Sequence, residues 1–260
     1  MDWGMQNRLS RIIKPKSGKC VMLAIDHGYF GNIPGQLKCF DELNPLFEYA
    51  DALMLTRGML RHCVPPNADI PIVLRVSAGA SMLKELSNEE INVSVEDALR
   101  LNVSAITCSI FVGGEYEKQS LMNLSKLVNW GQTYGIPTLA VTAVGREMVR
   151  DARYLGMASR MAVELGATIV KTYYCENFEE VTGIVPAPVV IAGGKKIEER
   201  DALQMSKNAI EKGAVGVDMG RNIFQSDSPI GMIKAVRAIV HENASVDEAF
   251  EIYKNGPKGL

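Results

Sequence analysis

Short runs of apolar, β-branched residues recur along the chain, and most are followed by a stretch with the periodicity of an amphipathic helix. Several runs are almost continuously apolar, which is typical of parallel strands covered on both faces. Eight such runs with helical stretches between them favour a closed barrel over an open sheet. The predicted strands are Cys20–Asp26, Ala52–Thr56, Ile72–Val76, Ala105–Ile110, Thr138–Thr142, Thr168–Thr172, Val189–Ala192 and Val215–Met219.

The helical stretches carry their own end signals. Leucines share one face of Gln119–Tyr134, and Gly135 and Pro137 follow, which indicates a helix end before a new strand. The other predicted helices are Asp151–Leu165, Glu198–Lys212, Pro229–Val240 and Val246–Tyr253.

Length and composition fit this fold. A chain of 260 residues suits one (β/α)8 TIM barrel, an α/β fold spanning residues 1–260 as a single domain. Hydrophobic residues make up 47% and charged residues 22%, as in well-packed globular domains. The net charge of −2 and the lack of a long basic tract give no electrostatic reason to expect nucleic acid or membrane partners.

The N-terminus and the cysteines indicate a cytoplasmic protein. Residues 1–15 lack the uninterrupted apolar core of a signal peptide, and no segment approaches 18 consecutive apolar residues. The cysteines are odd in number, widely spaced and never form C-x-x-C, which argues against a disulfide framework and for a reducing compartment. They are Cys20, Cys39, Cys63, Cys108 and Cys175.

Lys171 is the sharpest candidate for chemistry. Barrel enzymes place their active sites at the carboxyl ends of the strands, and Lys171 interrupts an otherwise apolar strand near its end. A neutral amine there can attack a carbonyl, and lowering its pKa from about 10.4 to about 7.5 requires roughly 4 kcal/mol. The alternative is a lysine that reaches solvent or pairs with a carboxylate. The residues alone leave both readings open.

Glycine pairs after the last two strands indicate a phosphate site. Gly193-Gly194, followed by Lys195, and Gly220-Arg221 lie where many barrels bind phosphate through backbone N–H groups, and Arg221 adds a bidentate donor. The alternative is that both pairs are only tight strand-to-helix turns.

Further candidates end other strands. Asp26 and His27 suit proton transfer next to an imine, although Asp26 can also be a structural cap. Arg57 and Thr142 end two other strands and are candidate substrate-binding residues. We predict no metal site, because no second His or Cys stands at metal-ligand spacing.

Four stretches together resemble the archaeal-type class I aldolase family. They are Ala24–Gly28, Ile169–Tyr174, Ile191–Lys196 and Gly216–Gln225. Within that family the chain is similar to the branch that degrades the signalling molecule autoinducer-2, and it starts later than the family's usual N-terminus.

The resemblance implies a Schiff base on Lys171, proton transfer by Asp26 or His27, and phosphate binding by the glycine pairs and Arg221. It also implies cleavage of a small phosphorylated dione with coenzyme A as co-substrate, no bound cofactor, and a homodecamer.

One departure from the family separates its branches. The fructose-bisphosphate aldolases carry a tyrosine acid–base after strand five, whereas this chain has Val141-Thr142-Ala143-Val144-Gly145 there. Losing that tyrosine weakens the sugar-aldolase reading, which stays an alternative together with a non-catalytic barrel that binds a sugar phosphate. The sequence also leaves open whether Lys171 forms an imine or acts as a base or cation.

Overall fold

Ten strands are found in the computed structural model, which describes residues 1–33, 40–143 and 149–260. They are β1 (Cys20–Ala24), β2 (Ala52–Thr56), β3 (Ile72–Arg75), β4 (Ser77–Ala78), β5 (Glu90–Ile91), β6 (Ala105–Ile110), β7 (Thr138–Thr142), β8 (Ile169–Tyr173), β9 (Val189–Ala192) and β10 (Gly216–Met219). In this described part, eight parallel strands close into a barrel in the order β1-β2-β3-β6-β7-β8-β9-β10. The predicted (β/α)8 fold is confirmed.

The helices cover the outside of the barrel and, at its amino end, the opening. They are α1 (Trp3–Ile12), α2 (Asn44–Phe47), α3 (Arg57–Cys63), α4 (Val95–Arg100), α5 (Glu117–Tyr134), α6 (Ala152–Glu164), α7 (Phe178–Ile184), α8 (Glu199–Glu211), α9 (Arg221–Phe224), α10 (Pro229–Glu242) and α11 (Val246–Lys254). No described helix has the length and apolar character needed to cross a membrane.

The main departure from the predicted elements is at the end of β1. The strand was expected to reach Asp26, but it ends at Ala24, and His27–Phe30 forms a short 3-10 helix. Asp26 has φ −89° and ψ 4°, a turn conformation rather than an extended one. The antiparallel pair β4 and β5, joining Ser77–Ala78 to Glu90–Ile91, was not predicted because each strand has only two residues.

Alternation along the strands divides the barrel into two packed regions. Residues two positions apart lie on the same side of a strand, so one set faces the barrel interior and the other packs against the surrounding helices. A small cluster of fully buried apolar side chains fills the lower interior, and Ile12 of α1 packs into it. This apolar floor consists of Ile12, Cys20, Met22, Ala52, Met54, Val73, Ala105, Leu139, Ile169 and Val190.

Asp51 ties the barrel to α10 at the amino ends of the strands. Its Oδ2 accepts hydrogen bonds from the Val21 backbone N–H at 2.7 Å and pairs with His241 Nε2 at 2.7 Å. Its Oδ1 accepts from Arg237 Nη1 at 3.0 Å. These bonds hold the pKa of the buried carboxyl below its usual range, although burial opposes its ionisation.

Candidate active site

A pocket of about 260 Å³ opens at the carboxyl ends of the barrel strands. TIM-barrel enzymes have their active sites at this end of the barrel. Eight of the ten candidate residues predicted from the sequence line it. They are Asp26, His27, Thr142, Lys171, Gly193, Gly194, Gly220 and Arg221.

The other two candidates, Arg57 and Lys195, are not among the lining residues of this pocket. Arg57 begins α3, and its Nη1 donates to Asp97 Oδ2 at 3.0 Å on the outside of the barrel. Lys195 is exposed to solvent. Thr142 lines the pocket, but its hydroxyl donates to Thr172 Oγ1 at 2.8 Å and so is committed to the barrel wall.

Lys171 stands directly above the apolar floor. It follows Ile169 by two positions on β8, so its side chain enters the same interior space and is only 7% exposed. Its Nζ lies 2.9 Å from Asp218 Oδ2 and 3.6 Å from the Met54 sulfur. The amine is therefore buried and paired with a carboxyl, with the open pocket above it.

Asp218 is the main site residue that sequence reasoning missed. It lies on β10 and is buried, and its Oδ1 has no hydrogen-bond partner among the described residues. Burial raises the pKa of Asp218, against the opposing charge of Lys171. Such a carboxyl accepts a proton more readily than an ordinary aspartate. Alternation was the available signal, because Gly216, Asp218 and Gly220 share one side of β10.

Asp26 lies just past the end of β1 and points into the pocket. Its Oδ2 accepts a hydrogen bond from Arg75 Nε at 3.0 Å, and both side chains are buried. Burial opposes ionisation, but the charges of Arg75 and then Lys171 hold the pKa of Asp26 below its usual range. Asp26 is therefore a fixed negative charge at neutral pH.

His27, the residue next to Asp26 in the sequence, is uncharged at neutral pH. Burial lowers its pKa to about 4, and the charges of Lys171 and Arg221 act in the same direction. Its ring meets the Phe224 ring edge-on at 5.9 Å between centroids, and its buried Nδ1 has no described partner. A neutral imidazole at pH 7 can accept a proton and, once charged, is a strong acid.

The glycine pairs and Arg221 form one rim of the pocket. A Cβ on Gly220 would lie 2.2 Å from the Ala24 carbonyl oxygen, so only glycine allows β10 to approach β1 this closely. Asn222 ties the two loops together by donating to the Gly193 carbonyl at 2.6 Å. Burial lowers the pKa of Arg221, whose buried Nε has no described partner.

A second arginine stands at the same rim. Arg150 also lines the pocket, and its guanidinium stacks on the Tyr173 ring at 3.9 Å. The rim therefore holds two guanidinium groups, and Nε of Arg221 is an unfilled hydrogen-bond donor among the described residues, which together suit a phosphate group.

The opposite wall carries a connected polar network around Arg75. Its Nη1 donates to Ser109 Oγ at 2.8 Å, and the Tyr29 ring lies 4.7 Å from its guanidinium carbon. Tyr29 in turn donates to Glu89 Oε1 at 2.8 Å. Arg75 was not among the candidate residues predicted from the sequence.

Sequence and structure comparisons assign this arrangement to a family. Residues 20–226, most of the chain and every residue of the pocket described above, match the model of the DeoC/LacD family aldolases. The chain belongs to this aldolase family.

Relatives in the family are similar over nearly the whole chain. It is 56% identical to 3-hydroxy-5-phosphonooxypentane-2,4-dione thiolase of Enterobacter sp. (strain 638), covering 100% of this chain and 88% of that protein. It is 55% identical to the protein of the same name from Escherichia coli (strain K12), with 97% and 88% covered. An uncharacterised aldolase of Pasteurella multocida (strain Pm70) is also 55% identical, over 97% of this chain and 88% of that protein.

Solved aldolase structures share the fold. An archaeal fructose-1,6-bisphosphate aldolase with its catalytic lysine bound to the carbinolamine intermediate has a TM-score of 0.82 and 22% identity, covering 91% of this chain and 99% of that one. The fructose-bisphosphate aldolase from Slackia heliotrinireducens has a TM-score of 0.84 and 19% identity, with 98% and 92% covered. The predicted family resemblance is confirmed.

The segment after β7 is where the branches of the aldolase family were expected to differ. Ala143 lines the pocket where the sugar aldolases were expected to carry a tyrosine. Val144 and Gly145, which complete the compared run, lie outside the described residues. No group of three or more His, Cys, Asp or Glu residues that could hold a metal ion occurs in the described ranges.

Proposed function

We propose that this chain cleaves the bond between the acetyl carbonyl carbon and the hydroxyl-bearing carbon of 3-hydroxy-5-phosphonooxypentane-2,4-dione, a step of autoinducer-2 breakdown. The acetyl group passes to coenzyme A, and dihydroxyacetone phosphate is the other product. The observation that carries this proposal is the buried Lys171 amine, 2.9 Å from Asp218, beside a rim with two arginines. The names of relatives that are 55–56% identical supply the substrate.

Lys171 forms the imine. Asp218, whose pKa is raised by burial, accepts a proton from the Lys171 ammonium, and the free amine adds to the ketone nearest the phosphate. Loss of water gives an iminium, which draws electrons from the neighbouring carbon. A protonated Asp218 next to the nitrogen suits the return of that proton to the departing hydroxyl.

The rim sets the orientation of the substrate. Arg221 and the backbone N–H groups of the Gly193, Gly194 and Gly220 loops bind the phosphate. The adjacent ketone then lies over Lys171, and the acetyl group extends towards the opposite wall. The binding energy of the phosphate thus positions the reacting ketone, which contributes little binding energy of its own.

Coenzyme A supplies the thiol that adds to the distal ketone. The described residues contain no sequence motif typical of nucleotide binding that would indicate where coenzyme A binds. His27, neutral at pH 7, takes the thiol proton and delivers it to the enamine carbon left on Lys171. Asp26, held ionised, stabilises the transient imidazolium. No sugar hydroxyl has to be deprotonated in this reaction, which agrees with Ala143 in place of a tyrosine.

Borohydride reduction in the presence of the dione, followed by peptide mass analysis, tests the covalent step. We expect a reduced adduct on Lys171 and none in Lys171→Met, with Lys118→Met as a solvent-exposed lysine control that keeps the adduct. An unmodified Lys171 in active enzyme would overturn the imine.

Turnover assays with and without coenzyme A test the reaction class. Thiol-dependent release of acetyl-CoA supports the proposal. Thiol-independent cleavage, in which the acetyl group passes to water, would count against the thiolase reaction. Turnover of fructose 1,6-bisphosphate would favour the sugar-aldolase alternative. A Lys171→Met variant that kept its full biological effect would indicate a non-catalytic binding barrel.

We also propose a cytoplasmic homodecamer, from the family resemblance. Light scattering of the purified protein measures the assembly state, and a mass of one or two chains would contradict the decamer.

A further inference from the structure

Arg75 lies across the barrel from the phosphate rim. In the closed strand order, β3 is four positions from β9 in either direction, so these strands form opposite walls. Gly193 and Gly194 follow β9, whereas Arg75 ends β3 and points inward because it lies two positions after Val73 of the apolar floor. Lys171 on β8 lies between the two walls. A substrate held at its phosphate end therefore presents its far end to Arg75.

We infer that Arg75 is a catalytic residue that binds the oxygen of the departing acetyl group, an inference that rests on the proposed function. Thiol addition to a ketone converts its carbonyl oxygen into an alkoxide, and enzymes stabilise such oxygens with donors fixed in advance. An aldol cleavage starts from a hydroxyl that must lose a proton and therefore needs a base at this end. A guanidinium is the wrong group for that base and the right one for an oxyanion.

The bonding around Arg75 fixes its charge in place. Its Nε donates to Asp26 and its Nη1 to Ser109 Oγ, and its guanidinium stacks on Tyr29. The hydrogen bonds found in the described part of the chain use Nε and Nη1, which leaves the hydrogens of Nη2 for a ligand. The side chain is 4% exposed, so its interaction with a new negative charge is only weakly screened by water.

The electron balance of the step is complete. The thiolate sulfur forms a bond to the acetyl carbon, and the carbonyl electron pair moves to the oxygen beside Arg75. When that pair re-forms the carbonyl, the bond to the neighbouring carbon breaks, and its electrons enter the iminium to give an enamine on Lys171. The thiol proton, carried by His27, ends on the enamine carbon, and water releases dihydroxyacetone phosphate from Lys171.

Two half-reactions separate this role from a structural one. Thiolysis of the dione needs the oxyanion site, whereas hydrogen–deuterium exchange of dihydroxyacetone phosphate needs only Lys171 and the proton carrier. We expect Arg75→Lys, which keeps a cation beside Asp26, to slow thiolysis by about 100-fold or more and to leave the exchange rate near wild type. Ser109→Ala, which frees Nη1, should slow thiolysis by a smaller factor with the same unchanged exchange.

Adduct mass gives a readout that does not depend on turnover. With thiol present, borohydride should trap mainly the dihydroxyacetone phosphate adduct in wild type and mainly the heavier dione adduct in Arg75→Lys, the two differing by one acetyl group. Arg100→Gln, an exposed arginine paired with Asp97, is the control that should match wild type in both assays.

The possible outcomes are distinct. Equal loss of exchange and thiolysis in both Arg75→Lys and Ser109→Ala, or loss of neither, would overturn the role of Arg75. Absence of trapping and exchange in the wild type would instead overturn the proposed function itself.

Discussion

Replacing Lys171 by Met should widen the pH range over which the stability of the fold falls as pH rises. The variant leaves Asp218 buried without its cation, in a cavity where a lone carboxylate is costly. Asp218 therefore stays protonated in the folded variant, while in the unfolded chain it ionises near its ordinary pKa of 3.8. In the wild type the charge of Lys171 opposes the effect of burial, so the pKa of Asp218 is raised less than in the variant.

The direction and size of this pH effect follow from the number of protons bound in the folded and unfolded states. The folded variant binds one more proton than the unfolded chain, so its added stability is present at low pH and lost as pH rises. Each pH unit between 3.8 and the folded pKa costs about 1.4 kcal/mol, so the loss at pH 7 relative to low pH is at most about 4 kcal/mol. A typical domain has 5–15 kcal/mol of stability, so the variant should still fold at pH 5.

Urea denaturation at pH 5, 6, 7 and 8 measures this effect. Above the folded pKa of Asp218 in the wild type, the difference between wild type and Lys171→Met should widen by about 1.4 kcal/mol per pH unit until the higher folded pKa of the variant is reached. The double variant Lys171→Met/Asp218→Asn, which has no titrating carboxyl there, should lack this additional slope. Parallel curves for the single variant would refute the reasoning.

Three further outcomes are expected. Gly220→Ala places a Cβ 2.2 Å from a backbone oxygen and should cost about 1–3 kcal/mol with a marked loss of turnover, whereas Gly28→Ala, with nothing within 4 Å, should resemble wild type in melting and kinetic assays. The pKa of His27 is lowered to about 4, so below pH 6.5 the unfolded state binds more protons than the folded state, and stability should fall by up to about 3 kcal/mol towards pH 4. In urea denaturation, His27→Gln should flatten this part of the pH profile, and an unchanged slope would contradict the lowered pKa of His27. Asp51→Asn removes a buried charge with three partners and should lower the melting temperature while the kcat of folded enzyme is retained; a large loss of kcat would link the barrel floor to catalysis.

The barrel strands were predictable because their physics is local. Ala52–Thr56, Ala105–Ile110 and Val189–Ala192 were predicted with the bounds that the structure has, since continuous apolar runs between turn signals define a covered parallel strand. The end of β1 was not predictable in this way, because Asp26 lies in a turn and its side chain bonds to Arg75, a partner 49 residues away in the chain.

The site was only partly predictable for a similar reason. Arg57 and Arg75 both end apolar strands and look equivalent in the sequence, yet one pairs with Asp97 outside and the other faces the pocket. Strand alternation distinguishes them, because Arg75 shares its parity with Val73 of the floor, whereas Arg57 follows the inward series of β2 by one residue. The same count selects Asp218. Contacts such as that of Arg150 with Tyr173 depend on loop geometry and leave no such pattern.

The apolar floor, with Ile12 of α1 packed into it, makes the barrel a cup closed at its base. Among the described residues, Lys171 is reached from the strand-end side, so everything that reacts there passes the same mouth. In the proposed reaction, the phosphorylated ketone has to enter first, and the thiol must arrive above it, at the distal carbonyl. The acetylated thiol must then leave before water can reach the product bound to Lys171 and release it. A closed base thus imposes an order of arrival and departure, which steady-state kinetics would register as a compulsory sequence rather than a random one.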